Sequence, residues 1–89
     1  PGYYRENEFG IRLENLIYVK YIKEVDGKKL LGFENLTFVP FDARLMDIEL
    51  LTEEEKGWIN NYHLQVLEKV GPHVGGSTLM WLKNATQPI

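Results

Sequence analysis

Cysteine is absent from the 89 residues, so no disulfide framework, zinc ribbon or thiol nucleophile can be built from this chain. Lysine and arginine total 10 against 13 acidic residues, and no basic run or stripe is present. Phosphate neutralisation needs clustered cations, so nucleic acid is not an expected partner. No apolar run approaches a membrane span, and no signal peptide is visible. The expectation is therefore a cytoplasmic chain with no membrane partner. Histidine is scarce, with His63 and His73 alone. A metal-binding histidine pair on a helix needs its second ligand one turn away, so His63 reads as a packed or surface residue. Repeats and low-complexity tracts are also missing.

What is present favours a packed structure. Hydrophobic residues make up 44%, with five tyrosines, four phenylalanines and two tryptophans, a balance that disfavours disorder. A chain this short buries a limited share of its surface, so it is one small domain or a piece of a larger one. It opens Pro1-Gly2-Tyr3-Tyr4 with no methionine, in turn chemistry that normally connects two elements. That opening reads as the middle of a longer polypeptide.

The stretch Phe9-Gly10-Ile11-Arg12-Leu13-Glu14-Asn15, followed by Leu16-Ile17-Tyr18-Val19, predicts a strand from about Ile11 to Lys23. Alternation would put Arg12 and Glu14 on one face and Ile11, Leu13 and Ile17 on the other. The charged face turns apolar at Leu16 and Tyr18, and a strand apolar on both faces is usually central and buried. An embedded arginine and glutamate then need partners. One arrangement is an ion pair or hydrogen-bond network with a neighbouring strand. The other is a hard divalent cation on Glu14, with Arg12 bonding a nearby group. A single carboxylate does not make a metal site by itself.

Elsewhere the patterns are local. Arg5-Glu6-Asn7-Glu8 reads as a polar loop, and Asp26-Gly27 as a hairpin turn. The return strand, Leu30 to Val39, stops at Pro40, which cannot donate to a ladder. Phe41 to Leu50 is expected to be irregular, with Leu45, Met46 and Ile48 tucked inward. Thr52-Glu53-Glu54-Glu55 is a capping box. The helix after it carries an apolar stripe of Trp58, Ile59, Tyr62, Val66 and Val70, and Gly71-Pro72 ends it. His73 to Ser77 is a linker, and Thr78 to Asn84 a short helical segment. The fold class is α+β: an antiparallel β-hairpin followed by a helix and a C-terminal extension.

Taken together, these residues resemble Xaa-Pro aminopeptidases (aminopeptidase P), metallopeptidases of the pita-bread fold. The resemblance rests on Pro1-Gly2-Tyr3-Tyr4, Phe9 to Asn15, Leu36-Thr37-Phe38-Val39-Pro40-Phe41-Asp42, Leu51 to Glu55 with Trp58-Ile59-Asn60-Asn61-Tyr62-His63, and Thr86-Gln87-Pro88-Ile89. The later motifs resemble the long, cytosolic-type eukaryotic branch. The resemblance implies that residues 1–50 are the closing part of a pita-bread catalytic domain and residues 51–89 a helical extension. It implies two divalent metal ions, manganese in many members, bridged by Glu14, with Arg12 and Tyr4 in the hydrogen-bond network around them. The remaining ligands would lie upstream, in the remainder of the same enzyme. The implied activity is hydrolysis of the bond between an N-terminal residue and a following proline by metal-activated water. The implied partners are peptides with proline second and a second copy in a homodimer, with Trp58 and Trp81 as interface or inter-domain anchors. On its own this chain would be inactive. The competing reading is a metal-free pita-bread relative, or a small α+β module, acting in protein interaction.

Overall fold

In the computed structural model residues 2–89 are described, and Pro1, half of the opening turn signal, lies outside them. The strands are β1 (Gly2–Arg5), β2 (Phe9–Arg12), β3 (Ile17–Val25) and β4 (Lys28–Asn35), and the helices α1 (Glu53–Val70) and α2 (Gly76–Ala85). Short 3-10 turns occupy Ala43–Leu45, Ile48–Leu50 and Gly71–His73. The chain divides into two compact units, one running to Thr37 and the other Phe38–Ile89. Among the described residues no helix is long and apolar enough to cross a membrane.

The first unit holds two separate two-stranded antiparallel sheets, β1–β2 and β3–β4. The strand expected from Ile11 to Lys23 is therefore broken. β2 ends at Arg12 because its partner is β1, with Gly2 opposite Arg12, and β3 starts at Ile17 because its partner is β4. Residues 13–16 carry the chain from one partner to the other. The expected polar loop at Arg5–Glu8 is the tip of a hairpin. Glu8 N–H donates to Arg5 O at 3.0 Å, and Asn7 takes a positive φ of 60°, which asparagine tolerates better than most residues.

The Asp26-Gly27 turn forms as expected, with φ of 51° and 76° between Val25 and Lys28, which pair directly. Both central residues in the left-handed region match the twist of a two-residue hairpin. Val19 pairs with Phe33 and Tyr21 with Leu31. Alternation then places Ile17, Val19, Tyr21, Leu31 and Phe33 on one face, and all five are exposed. The opposite face is polar: Tyr18 Oη donates to the Glu34 carboxylate, and Lys20 Nζ reaches the same carboxylate at 3.1 Å. Every residue of β2 and β3 is exposed, so the expectation of a central, buried strand fails. Among the described residues of this unit, neither two-stranded sheet has a second layer on it.

The second unit is built on α1. Thr52 Oγ1 accepts from Glu55 N–H at 3.2 Å, and Glu55 Oε2 accepts from Thr52 N–H at 2.8 Å. This is the reciprocal cap expected from the sequence. The buried face is Ile59, Tyr62, His63 and Val66. Trp58, expected in the stripe, is 53% exposed, and His63 occupies the core instead. Tyr62, Val66 and Leu82 form the centre, with Phe38, Phe41, Leu67, Val70 and Val74 packed around them. α2 is longer than expected, starting at Gly76 with a positive φ of 55°.

Two α1 side chains hold the extended segment after Thr37 by its backbone. Tyr62 Oη donates to Val39 O at 2.8 Å and accepts from Val39 N–H at 3.1 Å. His63 Nε2 accepts from Phe41 N–H at 3.0 Å. Asn60 grips Ile89 in a similar way, accepting from its N–H at 2.8 Å. Leu45 and Ile48 do not tuck inward: they are 74% and 37% exposed, because the 3-10 turns that carry them contribute nothing to the core.

Candidate functional site

The residues singled out from the sequence gather on the β1–β2 hairpin and the loop that leaves it. Tyr4 pairs with Gly10 and Arg12 with Gly2, so these four residues share one face. Each large side chain lies over a glycine. A methyl at Gly10 would stand 2.9 Å from Tyr4 Cδ1, and one at Gly2 would stand 2.8 Å from Arg12 Cγ and 2.7 Å from Ile11 O. The glycines are recesses that let Tyr4 and Arg12 lie flat across the hairpin. Tyr3 and Phe9 meet at 6.0 Å on the reverse face.

Glu14 lies in the irregular stretch after β2, with Oε1 3.9 Å from Arg12 Nε. Both side chains are open, 62% for Arg12 and 58% for Glu14. The mid-sheet burial expected for this pair is thus not found in the chain. A carboxylate so exposed, held by one long contact, offers an anionic oxygen of the kind hard divalent ions take. It fits one place in a ligand set. Among the described residues no three His, Cys, Asp or Glu side chains come together as a metal site, so the chain supplies a donor and not a centre.

The anchors of that loop were not legible in the sequence. Asn15 Nδ2 donates to Asn35 Oδ1 at 2.7 Å, Leu16 N–H donates to Thr37 Oγ1 at 3.2 Å, and Leu36 N–H donates to Leu16 O at 2.8 Å.

The second unit has an open groove of about 490 Å³ lined by Phe41, Asp42, Arg44, Trp81, Asn84 and Ile89 among others. Asp42 and Arg44 pair at 2.6 Å, which lowers the Asp42 pKa to about 2. The groove's charges are thereby spent on each other.

The glycine recesses give a test. Gly2→Ala pushes a methyl into a backbone oxygen that cannot swing away. Overpacking of this kind costs about 1–3 kcal/mol, and amide exchange at the Gly2–Arg12 pair should accelerate accordingly. Gly10→Ala meets only the ring of Tyr4, which is 67% exposed and can turn aside. Exchange rates should then change little, while the Tyr4 ring resonances shift. Equal effects of the two variants would contradict this reading of the recesses.

Residues 29–89 match the family model described as the C-terminal region of peptidase_M24. A probable Xaa-Pro aminopeptidase P of Arthroderma otae is 49% identical over the whole chain, which spans 15% of that protein. Aminopeptidase P2 of Arabidopsis thaliana is 45% identical, again over the whole chain and 13% of that protein. The X-prolyl aminopeptidase of Caenorhabditis elegans, described as a cytosolic enzyme with a di-nuclear active site, superposes over the whole chain with a TM-score of 0.87. It is 37% identical, and the match takes 15% of that chain. The two hairpins and following helices are the α+β closing portion of a pita-bread domain. The chain belongs to the C-terminal region of the M24 peptidase family.

Proposed function

We propose that this chain is the closing part of an Xaa-Pro aminopeptidase, a dinuclear-metal enzyme that hydrolyses the bond between an N-terminal residue and a following proline. One observation carries the reading: Tyr4 and Arg12 share a hairpin face and an open Glu14 carboxylate stands beside Arg12, on a chain whose relatives bear that enzyme's name. Glu14 would supply one carboxylate oxygen donor to the metal site. Arg12 places a positive charge 3.9 Å from Glu14, and Tyr4, on the same hairpin face, adds an O–H beside it. When bound, two divalent ions, manganese in our reading, supply a Lewis acid and a water acidic enough to deprotonate near neutral pH.

The other ligands belong to the remainder of the same enzyme, as the length of the relatives supports. That remainder is also the partner for the exposed apolar face of β3–β4, since a lone two-stranded hairpin is marginal in water. Its substrates are peptides with proline second, in the cytoplasm. Its dimer contacts draw on Trp58 and Trp81, 53% and 61% exposed.

The purified 89-residue chain should bind manganese weakly and turn over no Xaa-Pro peptide, because one carboxylate gives neither ligand count nor geometry. Isothermal titration with Mn2+ and a peptide-release assay check both statements. Measurable turnover by the isolated chain would refute the division of ligands. For the whole enzyme, metal content and Xaa-Pro hydrolysis are the test: a folded full-length protein with neither would favour the interaction-module reading.

A further inference from the structure

Asn15 is the one residue between Gly2 and Leu31 that is withdrawn from solvent. In a unit whose leucines, valines and tyrosines are exposed, the half-buried side chain is a neutral amide next to Glu14. Its Nδ2 donates to Asn35 Oδ1 at 2.7 Å, across a separation of 20 residues. Asn35 is the last residue of β4, opposite Ile17. Beyond that pair the ladder is prolonged by Leu36 N–H donating to Leu16 O and by Leu16 N–H donating to Thr37 Oγ1. On the other side of Glu14, Arg12 is fixed by its pairing with Gly2.

We propose that Asn15 and Asn35 are positioning residues that clamp the backbone carrying Glu14 and so set its carboxylate for metal; this rests on the reading of Glu14 given above. Glu14 sits outside any strand, and ordering such a residue costs roughly 1–2 kcal/mol in backbone entropy. The clamp meets that cost before an ion arrives. Its chemistry suits the task. A lysine or arginine at residue 15 would compete with the ions for Glu14, whereas an amide fixes the chain through a neutral donor and leaves that carboxylate to the metal. Residues that orient a metal ligand typically contribute 10–100-fold to metal affinity.

The test uses the full-length enzyme that carries this chain. Asn35→Ala, Asn35→Asp and Glu14→Ala are compared by Mn2+ content after equilibrium dialysis over a concentration series. Thermal unfolding of the metal-free proteins and kcat at saturating Mn2+ are measured alongside. Asn35→Ala should raise the Mn2+ needed for half-loading by roughly tenfold or more. Its kcat at saturation should stay within about threefold of the parent, and its metal-free Tm should be nearly unchanged. Asn35→Asp keeps an oxygen for Asn15 Nδ2 and should restore loading. If Glu14→Ala sheds metal while Asn35→Ala loads as the parent does, the clamp is refuted and the Glu14 reading stands. If Glu14→Ala loads normally, both are refuted. Equal losses in Asn35→Ala and Asn35→Asp, tracking a lower Tm, would reduce the pair to a structural contact and overturn the proposal.

Discussion

Glu14→Ala in the full-length enzyme should cut turnover of an Xaa-Pro peptide by on the order of 10³-fold, with bound metal falling in step. The size follows from what is removed. A metal ligand set supplies several kcal/mol of charge stabilisation to the reaction, and each 1.36 kcal/mol is tenfold in rate. The competing account, in which Glu14 only pairs with Arg12, predicts a much smaller effect. That contact is 3.9 Å long with both side chains more than half exposed, and exposed ion pairs contribute about 0–1 kcal/mol. Losing it would lower the unfolding midpoint slightly and leave metal content alone. The two accounts therefore differ by orders of magnitude in rate, and elemental analysis beside a peptide-release assay separates them. A variant with both ions and parental rates would return Glu14 to the role of a surface charge.

What the sequence disclosed about this molecule was whatever nearby residues decide. The Asp26-Gly27 turn, the Thr52–Glu55 cap and the stop at Gly71-Pro72 each depend on a few adjacent residues, and each is found where expected. The break at residues 13–16 is different in kind. Phe9 to Lys23 has strand chemistry nearly throughout, and only the choice of partners, β1 for one half and β4 for the other, ends β2 at Arg12. No local pattern encodes that choice. Burial failed for a related reason. The apolar residues of β3 and β4 implied a covering layer, and in this chain that layer is not supplied. The exchange of Trp58 for His63 in the core follows from helix phase, since the two residues differ by about 140° around α1. Hydrophobicity chose the tryptophan. The backbone N–H of Phe41, which needs an acceptor, chose the histidine.

That exchange gives the second unit a pH dependence. His63 Nε2 accepts from Phe41 N–H, so the ring's proton must sit on Nδ1, a buried atom with no partner among the described residues. Burial lowers the His63 pKa from its ordinary 6.5, because an imidazolium here would lose water and turn a second N–H toward Phe41 N–H. The sign follows from linkage. The folded state keeps the neutral ring while the unfolded chain takes up a proton below about pH 6.5, so stability is complete above that value. It then falls by up to about 1.4 kcal/mol per pH unit until the lower folded pKa is reached. Trp58, stacked 5.9 Å from Tyr62 and 6.2 Å from Phe41, gives a fluorescence signal for urea unfolding between pH 8 and pH 5. His63→Gln can keep an acceptor for Phe41 without titrating, and should flatten the slope. His63→Leu leaves that N–H unpaired and should cost about 1–3 kcal/mol at every pH. A parent protein equally stable at pH 8 and pH 5, or a glutamine variant with the parent's slope, would show that the buried ring does not set the acid limit of this unit.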